Sequence, residues 1–133
     1  MYVYDHGHRR APVSVHSPAE LIAHLRSTRK GIYGAFILCH DETGPSLFIQ
    51  INNDLAYLHF FPDDQGRHPG FQPTGMSPAD CPESVYLMQD DGFEANGDTM
   101  PGYALVSVDV AYRAAAEFLH EPVLPPSISW FEL

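Results

Sequence analysis

Residues 47–61 read LFIQINNDLAYLHFF. Two apolar runs flank Asn52, Asn53 and Asp54, residue types that tolerate the left-handed backbone of a tight turn. The stretch therefore reads as a β-hairpin with strands over 47–51 and 55–61. In the second strand a period of two puts Leu55, Tyr57, His59 and Phe61 on one face and Ala56, Leu58 and Phe60 on the other. Both sets are largely apolar, which predicts a central strand covered on both sides. His59 lies inside it, where a lone histidine reads as a satisfied core or edge residue rather than a ligand.

Outward from the hairpin, the elements alternate in type. Towards the N-terminus, residues 34–40 carry Ala-Phe-Ile-Leu-Cys and read as a strand, joined to the hairpin by turn-forming residues 41–45. Residues 12–16 read as a further short strand. Ser17, Pro18, Ala19 and Glu20 then open a helix: Ser17 can cap backbone N–H groups, Pro18 occupies a first-turn position that needs no donor, and Glu20 can close a capping box. The helix runs to about Thr28, with Leu21, Ile22 and Leu25 as its apolar stripe, Arg26 and Arg29 towards solvent and Gly31 beyond its end.

Towards the C-terminus, residues 62–75 are dense in Pro, Gly and Asp and form a loop crossed by one short strand around Phe71. Residues 84–89 read as a strand, and residues 90–98 as an acidic, glycine-punctuated loop with Phe93 in it. Residues 103–106 lead to Ser107, a second helix cap, with Asp109 near the positive end of the helix dipole. The helix over 108–120 offers Val108, Ala111, Tyr112, Ala115, Phe118 and Leu119 for burial, and Pro122 stops it. Residues 127–133 hold the single tryptophan, Trp130, in an apolar run after Pro125 and Pro126. Chain ends are usually disordered unless docked, so this run reads as a final strand in which Trp130 packs against the helix over 108–120.

At 133 residues, with 44% hydrophobic and 12% aromatic side chains, the chain has the length and composition of one globular domain spanning 1–133, with residues 1–10 loosely held. No apolar run is long enough to span a bilayer, and the polar start lacks the apolar stretch of a secretion signal, so a cytosolic location is expected. Cys39 and Cys81 read as reduced thiols. The formal charge is −10, unevenly spread: residues 1–30 hold Arg9, Arg10, Arg26, Arg29 and Lys30 against Asp5 and Glu20, whereas residues 31–133 hold fifteen acids against Arg67 and Arg113. Such a field repels nucleic-acid backbones and attracts cationic partners.

Few residues carry chemistry. Asp5, His6, Gly7 and His8 bring a carboxylate and two imidazoles close together, but no other Cys or His pair has zinc-site spacing. The pairs Asp63/Asp64 and Asp90/Asp91 do not fit a calcium loop. A phosphate-binding glycine loop, a nucleophile elbow and a zinc-deaminase motif are all missing from the sequence. Neither an enzyme activity nor a metal or cofactor is expected.

The order LFIQINNDLAYLHFF, then HPGFQPTG at 68–75, then the capped helix VSVDVAYRAAAEFL at 106–119 and the closing ISWFEL at 128–133 resembles the first-numbered immunity-protein family of bacterial polymorphic toxin systems. Gly70, Phe71, Trp130, Glu132 and Leu133 are its most specific positions, although Ser129 and Phe131 flank Trp130 where the family often has a glutamate. The resemblance implies an α+β fold. With the elements above, that is one domain of about six mostly antiparallel strands and two main helices packed on the sheet. It also implies a cytosolic protein that neutralises a cognate toxin, frequently of the deaminase superfamily. Asp63, Asp64, Asp90, Asp91, Phe93, Glu94 and Asp98 are the expected toxin-facing residues, Phe93 as an aromatic anchor among steering charges. The competing readings are a non-catalytic adaptor that dimerises through a sheet edge, and a small metalloenzyme using His59 or the N-terminal histidines.

Overall fold

The computed structural model describes residues 1–5, 11–28, 33–63, 66–75, 77, 83–87 and 98–133, with the side chain of Asp98 left out. In chain order the elements are β1 (Tyr2–Asp5), β2 (Val13–Ser14), α1 (Pro18–Ser27), β3 (Tyr33–Cys39), β4 (Ser46–Asn52), β5 (Leu55–Phe61), β6 (Phe71–Pro73), β7 (Ser84–Leu87), β8 (Asp98–Pro101), β9 (Val106–Ser107), α2 (Val108–His120) and β10 (Trp130–Glu132). The hairpin of β4 and β5 forms in the register its turn dictates, Asn52 opposite Leu55 and Ser46 opposite Phe61, with Asn53 at φ +54. β3 adds to β4 as a meander.

The sheet runs β10-β6-β5-β4-β3-β1-β2, and every pairing in it is antiparallel. β5 is central. Its outer edge is shared, by β9 beside Leu55 and Ala56 and by β6 beside Phe60. With β9 the sheet has eight strands, more than the six or so expected; β1 and β9 are the unexpected members, while β2 is the short strand expected over 12–16. The chain's start is thus a correction to the expectation of a loose segment over 1–10. Tyr2–Asp5 lies between β3 and β2, with Val3 fully buried and the Met1 ammonium donating to the Val15 carbonyl at 3.1 Å. Residues 6–10 lie outside the described residues.

Both helices pack on one face of the sheet. Val3, Phe36, Leu38, Leu47, Ile49, Ile51, Leu58 and Phe60 form a continuous core with Leu21 and Leu25 of α1 and Ala111, Ala114, Ala115 and Phe118 of α2. Each side chain is there because strand alternation or helical spacing aims it inward. Ser17 caps α1 by accepting from the Glu20 N–H at 3.2 Å, while Glu20 reaches back one residue further than in a capping box, to the His16 N–H at 3.3 Å. Ser107 caps α2 through the Val110 N–H at 3.2 Å. Arg26 lies over the Tyr112 ring, 5.4 Å from its centroid, tying the helices together outside the core.

Among the described residues, the opposite face is covered over only part of its area. β7 and β8 pair as a separate two-stranded sheet above its Asn52 end. There Tyr57 packs with Leu87, Ala104 and Leu105, Tyr33 meets Tyr86 edge-on at 5.7 Å, and Asn52 donates to the Tyr86 carbonyl at 2.8 Å. The residues leading to Ser107 form a 3-10 turn at Gly102–Ala104 followed by β9, and Asp98, expected in a loop, begins β8. No helix among the described residues is long and apolar enough to cross a membrane.

Candidate protein-binding site

Residues 68–75 and the C-terminal strand form one clamp at the sheet edge. Gly70 has φ +98, and a Cβ on it would strike the His59 ring and come within 2.6 Å of the Phe60 carbonyl oxygen, so only glycine lets the loop cross β5 this closely. Gly75, at φ +73, abuts the Tyr103 carbonyl in the same way. The Gly70 N–H donates to His68 Nδ1 at 2.8 Å, which leaves the ring proton on Nε2 to bond Glu132 Oε1 at 2.7 Å. The His68 ring stacks on Phe71 with centroids 5.0 Å apart, and the Leu133 N–H closes onto the Gly70 carbonyl at 2.9 Å.

Trp130 donates from Nε1 to the Pro125 carbonyl at 2.8 Å and lies 6.5 Å from the Phe60 ring, which meets Phe118 of α2 edge-on at 6.3 Å. The tryptophan thus reaches α2 through Phe60. Glu132 and Leu133 are held by His68 and by the Gly70 backbone, so the five residues that carry the resemblance meet in one structural unit.

Beyond the clamp, period-two alternation and the strand register bring a set of side chains onto the helix-free face. Tyr2 lies opposite Cys39, Tyr4 opposite Ile37, Ile37 opposite Phe48, Phe48 opposite His59, and Ser46 opposite Phe61. On β6 and β10 the same face carries Gln72 and Phe131. Tyr2 and Phe131 are 43% and 56% exposed, and Tyr4, Ile37, Phe48, His59, Phe61 and Gln72 are half-buried. This end of the face lies away from the β7–β8 layer.

Among the described residues His59 is the one imidazole on this face, and its Nε2 is engaged. Nε2–H donates to the Pro69 carbonyl at 2.7 Å, and Nδ1 lies 3.3 Å from the Tyr57 hydroxyl, which donates to Gln72 Oε1 at 3.2 Å. Its ring stacks on Phe61 at 4.0 Å with planes 7° apart. Burial lowers its pKa below the ordinary histidine value, partly offset by the Pro69 bond, so the ring is neutral at neutral pH. A neutral ring held by Pro69 and stacked on Phe61 is part of this surface.

Cys39 is buried at the other end of the face. Burial pushes its thiol pKa up, and Asp41 and Glu42 push it the same way, which keeps it protonated and unreactive. On the helix side, His24 Nε2 lies 2.8 Å from both carboxylate oxygens of Asp5. Among the described residues, no three His, Cys, Asp or Glu side chains are grouped to hold a metal ion. The arrangement offers contact area and charge rather than a reacting group.

Of the residues expected to face a toxin, Asp63 lies two positions beyond β5 and is partly buried, and Asp98 begins β8. Asp64, Asp90, Asp91, Phe93 and Glu94 lie outside the described residues, as do His6, His8 and Cys81. The residues that sequence reasoning missed are Tyr2, Tyr4, Phe48 and Phe131. Alternation in β4 and β5 was the available signal, because once the hairpin register is set Phe48 must share a face with His59 and Phe61.

No curated protein matches this chain. A family model described as Immunity protein Imm1 matches residues 9–132, a span that takes in the hairpin, both glycines of the clamp, α2 and Trp130. Matched over nearly all of its length, the chain belongs to the Imm1 family of immunity proteins.

Proposed function

We propose that this chain is the cytosolic immunity partner of a bacterial polymorphic toxin and neutralises it by binding over the toxin's active site. Membership of an immunity-protein family carries this reading. Inhibition of this kind needs a surface and no chemistry. The toxin is a basic domain of the nucleic-acid-deaminase class. A cleft that handles phosphate-rich substrates is basic, and a protein of formal charge −10 is drawn into the same field without binding nucleic acid itself. Asp63, Asp64, Asp90, Asp91, Glu94 and Asp98 supply that steering and Phe93 an apolar contact among them.

Protection is the test. Co-expression of this chain with the toxin domain encoded in the adjoining gene is expected to restore growth of cells that the toxin alone kills. Toxicity undiminished by a chain shown to be expressed and folded would refute the assignment.

A further inference from the structure

A strand face of a folded protein is ordinarily either covered or alternates to polar side chains where it meets water. Among the described residues, the end of the helix-free face away from β7 and β8 is covered only in part and stays aromatic. Its exposed and half-buried side chains are dominated by Tyr and Phe, the residue types enriched at the centres of protein interfaces, and contiguous apolar exposure of this kind marks a binding surface. Deepening the immunity reading, and resting on it, we infer that a basic toxin domain docks on this half-face, with Tyr2, Phe48, Phe61 and Phe131 as its apolar anchors.

Charge identifies the occupant. Asp41 and Glu42, both exposed, stand at the Tyr2 end, and Asp63 lies just beyond β5. The negative field of Glu42 is felt on the face itself, where it raises the pKa of Tyr4 and of Cys39 alongside burial, the larger cause for both. Of the described arginines, Arg26 and Arg113 belong to α1 and α2, on the opposite side of the sheet, and Arg67 is exposed in the loop between β5 and β6. The face therefore presents an aromatic centre with acids beside it, the complement of an apolar patch ringed by Lys and Arg.

A cavity of about 270 Å³ bounded by Tyr4, Ile37, Cys39, Asp41, Glu42 and Ser46 opens at the acidic end. It suits the long side chain of a toxin Lys or Arg, whose apolar stem would lie along Tyr4 and Ile37 with its charge at Asp41 and Glu42. The helix side has a larger cavity, about 660 Å³, but Arg113, Glu117, His120 and Glu121 line it with charges of both signs, which gives no such complementarity.

The test uses the full chain and a catalytically inactivated toxin domain from the adjoining gene, with binding followed by calorimetry and by association kinetics at low and high salt. Tyr2→Lys and Phe131→Lys change side chains that are already substantially exposed, so the fold is kept, as melting curves would verify. Each is expected to raise Kd at least tenfold. Reversing Asp41 and Glu42 to Lys should slow association at low salt and much less at high salt. Val110→Lys and Arg113→Glu on α2 should leave Kd within about twofold.

Should a substitution unfold the chain, protection of Tyr2, Phe48 and Phe61 from hydroxyl-radical labelling in the wild-type complex supplies the same answer, and unprotected side chains would overturn the inference. Face variants that bind like wild type overturn it while leaving the immunity reading intact. A wild-type chain that does not bind the toxin removes both. A free protein that is dimeric through this face, and becomes monomeric in Phe131→Lys, would give the surface to a second copy instead.

Discussion

Replacing Gly70 by alanine tests the account of the clamp most directly. At φ +98 an L-residue is strained by about 1–2 kcal/mol. The new methyl would also strike the His59 ring and lie 2.6 Å from the Phe60 carbonyl oxygen. The ring can turn away by giving up its bond to Pro69, worth about 1 kcal/mol. The carbonyl cannot, because it belongs to the central strand, so β6 must retreat and loosen its packing on Phe60, which adds roughly 1–2 kcal/mol.

The expected total is about 3–5 kcal/mol, which for a domain of this size lowers Tm by about 10–20 °C. Gly66→Ala is the matched control. Gly66 has φ +66 but nothing within 4 Å of its Cβ position, so it bears the backbone strain alone and should cost about 1 kcal/mol. Thermal and urea denaturation of both variants, with Gly70→Ala repeated in a His59→Ala background, separates the contributions. The double variant should recover only the ring's share. Equal destabilisation by the two glycine substitutions would refute the close-approach argument.

Two further outcomes follow from the same edge of the sheet. Trp130→Ala should destabilise by about 3 kcal/mol, whereas Trp130→Phe, which keeps the contact with Phe60 and loses the bond to Pro125, should cost about 1 kcal/mol; equal losses in urea titrations would mean that the hydrogen bond, not the packing, holds β10. His59 has a depressed folded-state pKa, so the unfolded chain takes up its proton more readily; the contribution of the neutral ring is complete above the ordinary value of 6.5 and is lost as pH falls through the folded value. Wild-type stability should therefore drop more steeply than that of His59→Gln between pH 7 and pH 5, and parallel pH profiles would show that the ring does not sense burial.

What was legible in the sequence is what local chemistry decides. Ser17 and Ser107 mark both helices because a cap is satisfied within its own first turn, and the hairpin declares itself through Asn53 and its neighbours. β1 was missed for the opposite reason. Tyr2–Asp5 is four residues long, pairs with only two residues of nearby β2, and finds its longer partner in β3, beyond α1, so little near it in the chain announces the pairing. The β7–β8 layer was half read, because β8 follows an acidic, glycine-rich stretch that suggested only a loop. β5 was expected to be covered on both sides, and its Tyr57 half is; among the described residues the His59–Phe61 half is covered only in part, by the Pro69–Gly70 loop over His59, because β7 and β8 sit over the other half. That shortfall of cover, not a motif, creates the aromatic surface, which is why a search for motifs looked to the charged loops instead.

The position of β10 also constrains the order of folding. β3, β4 and β5 pair through short connections and can assemble early, whereas Glu132 meets His68 across 64 positions of chain. The meander and α2 can be in place while Phe60 still lacks Trp130 over it, so the edge seals only when β10 docks on β6. The contact of β10 with the 68–75 loop is thus the step that completes the sheet, and its formation reports a finished fold better than the helices do.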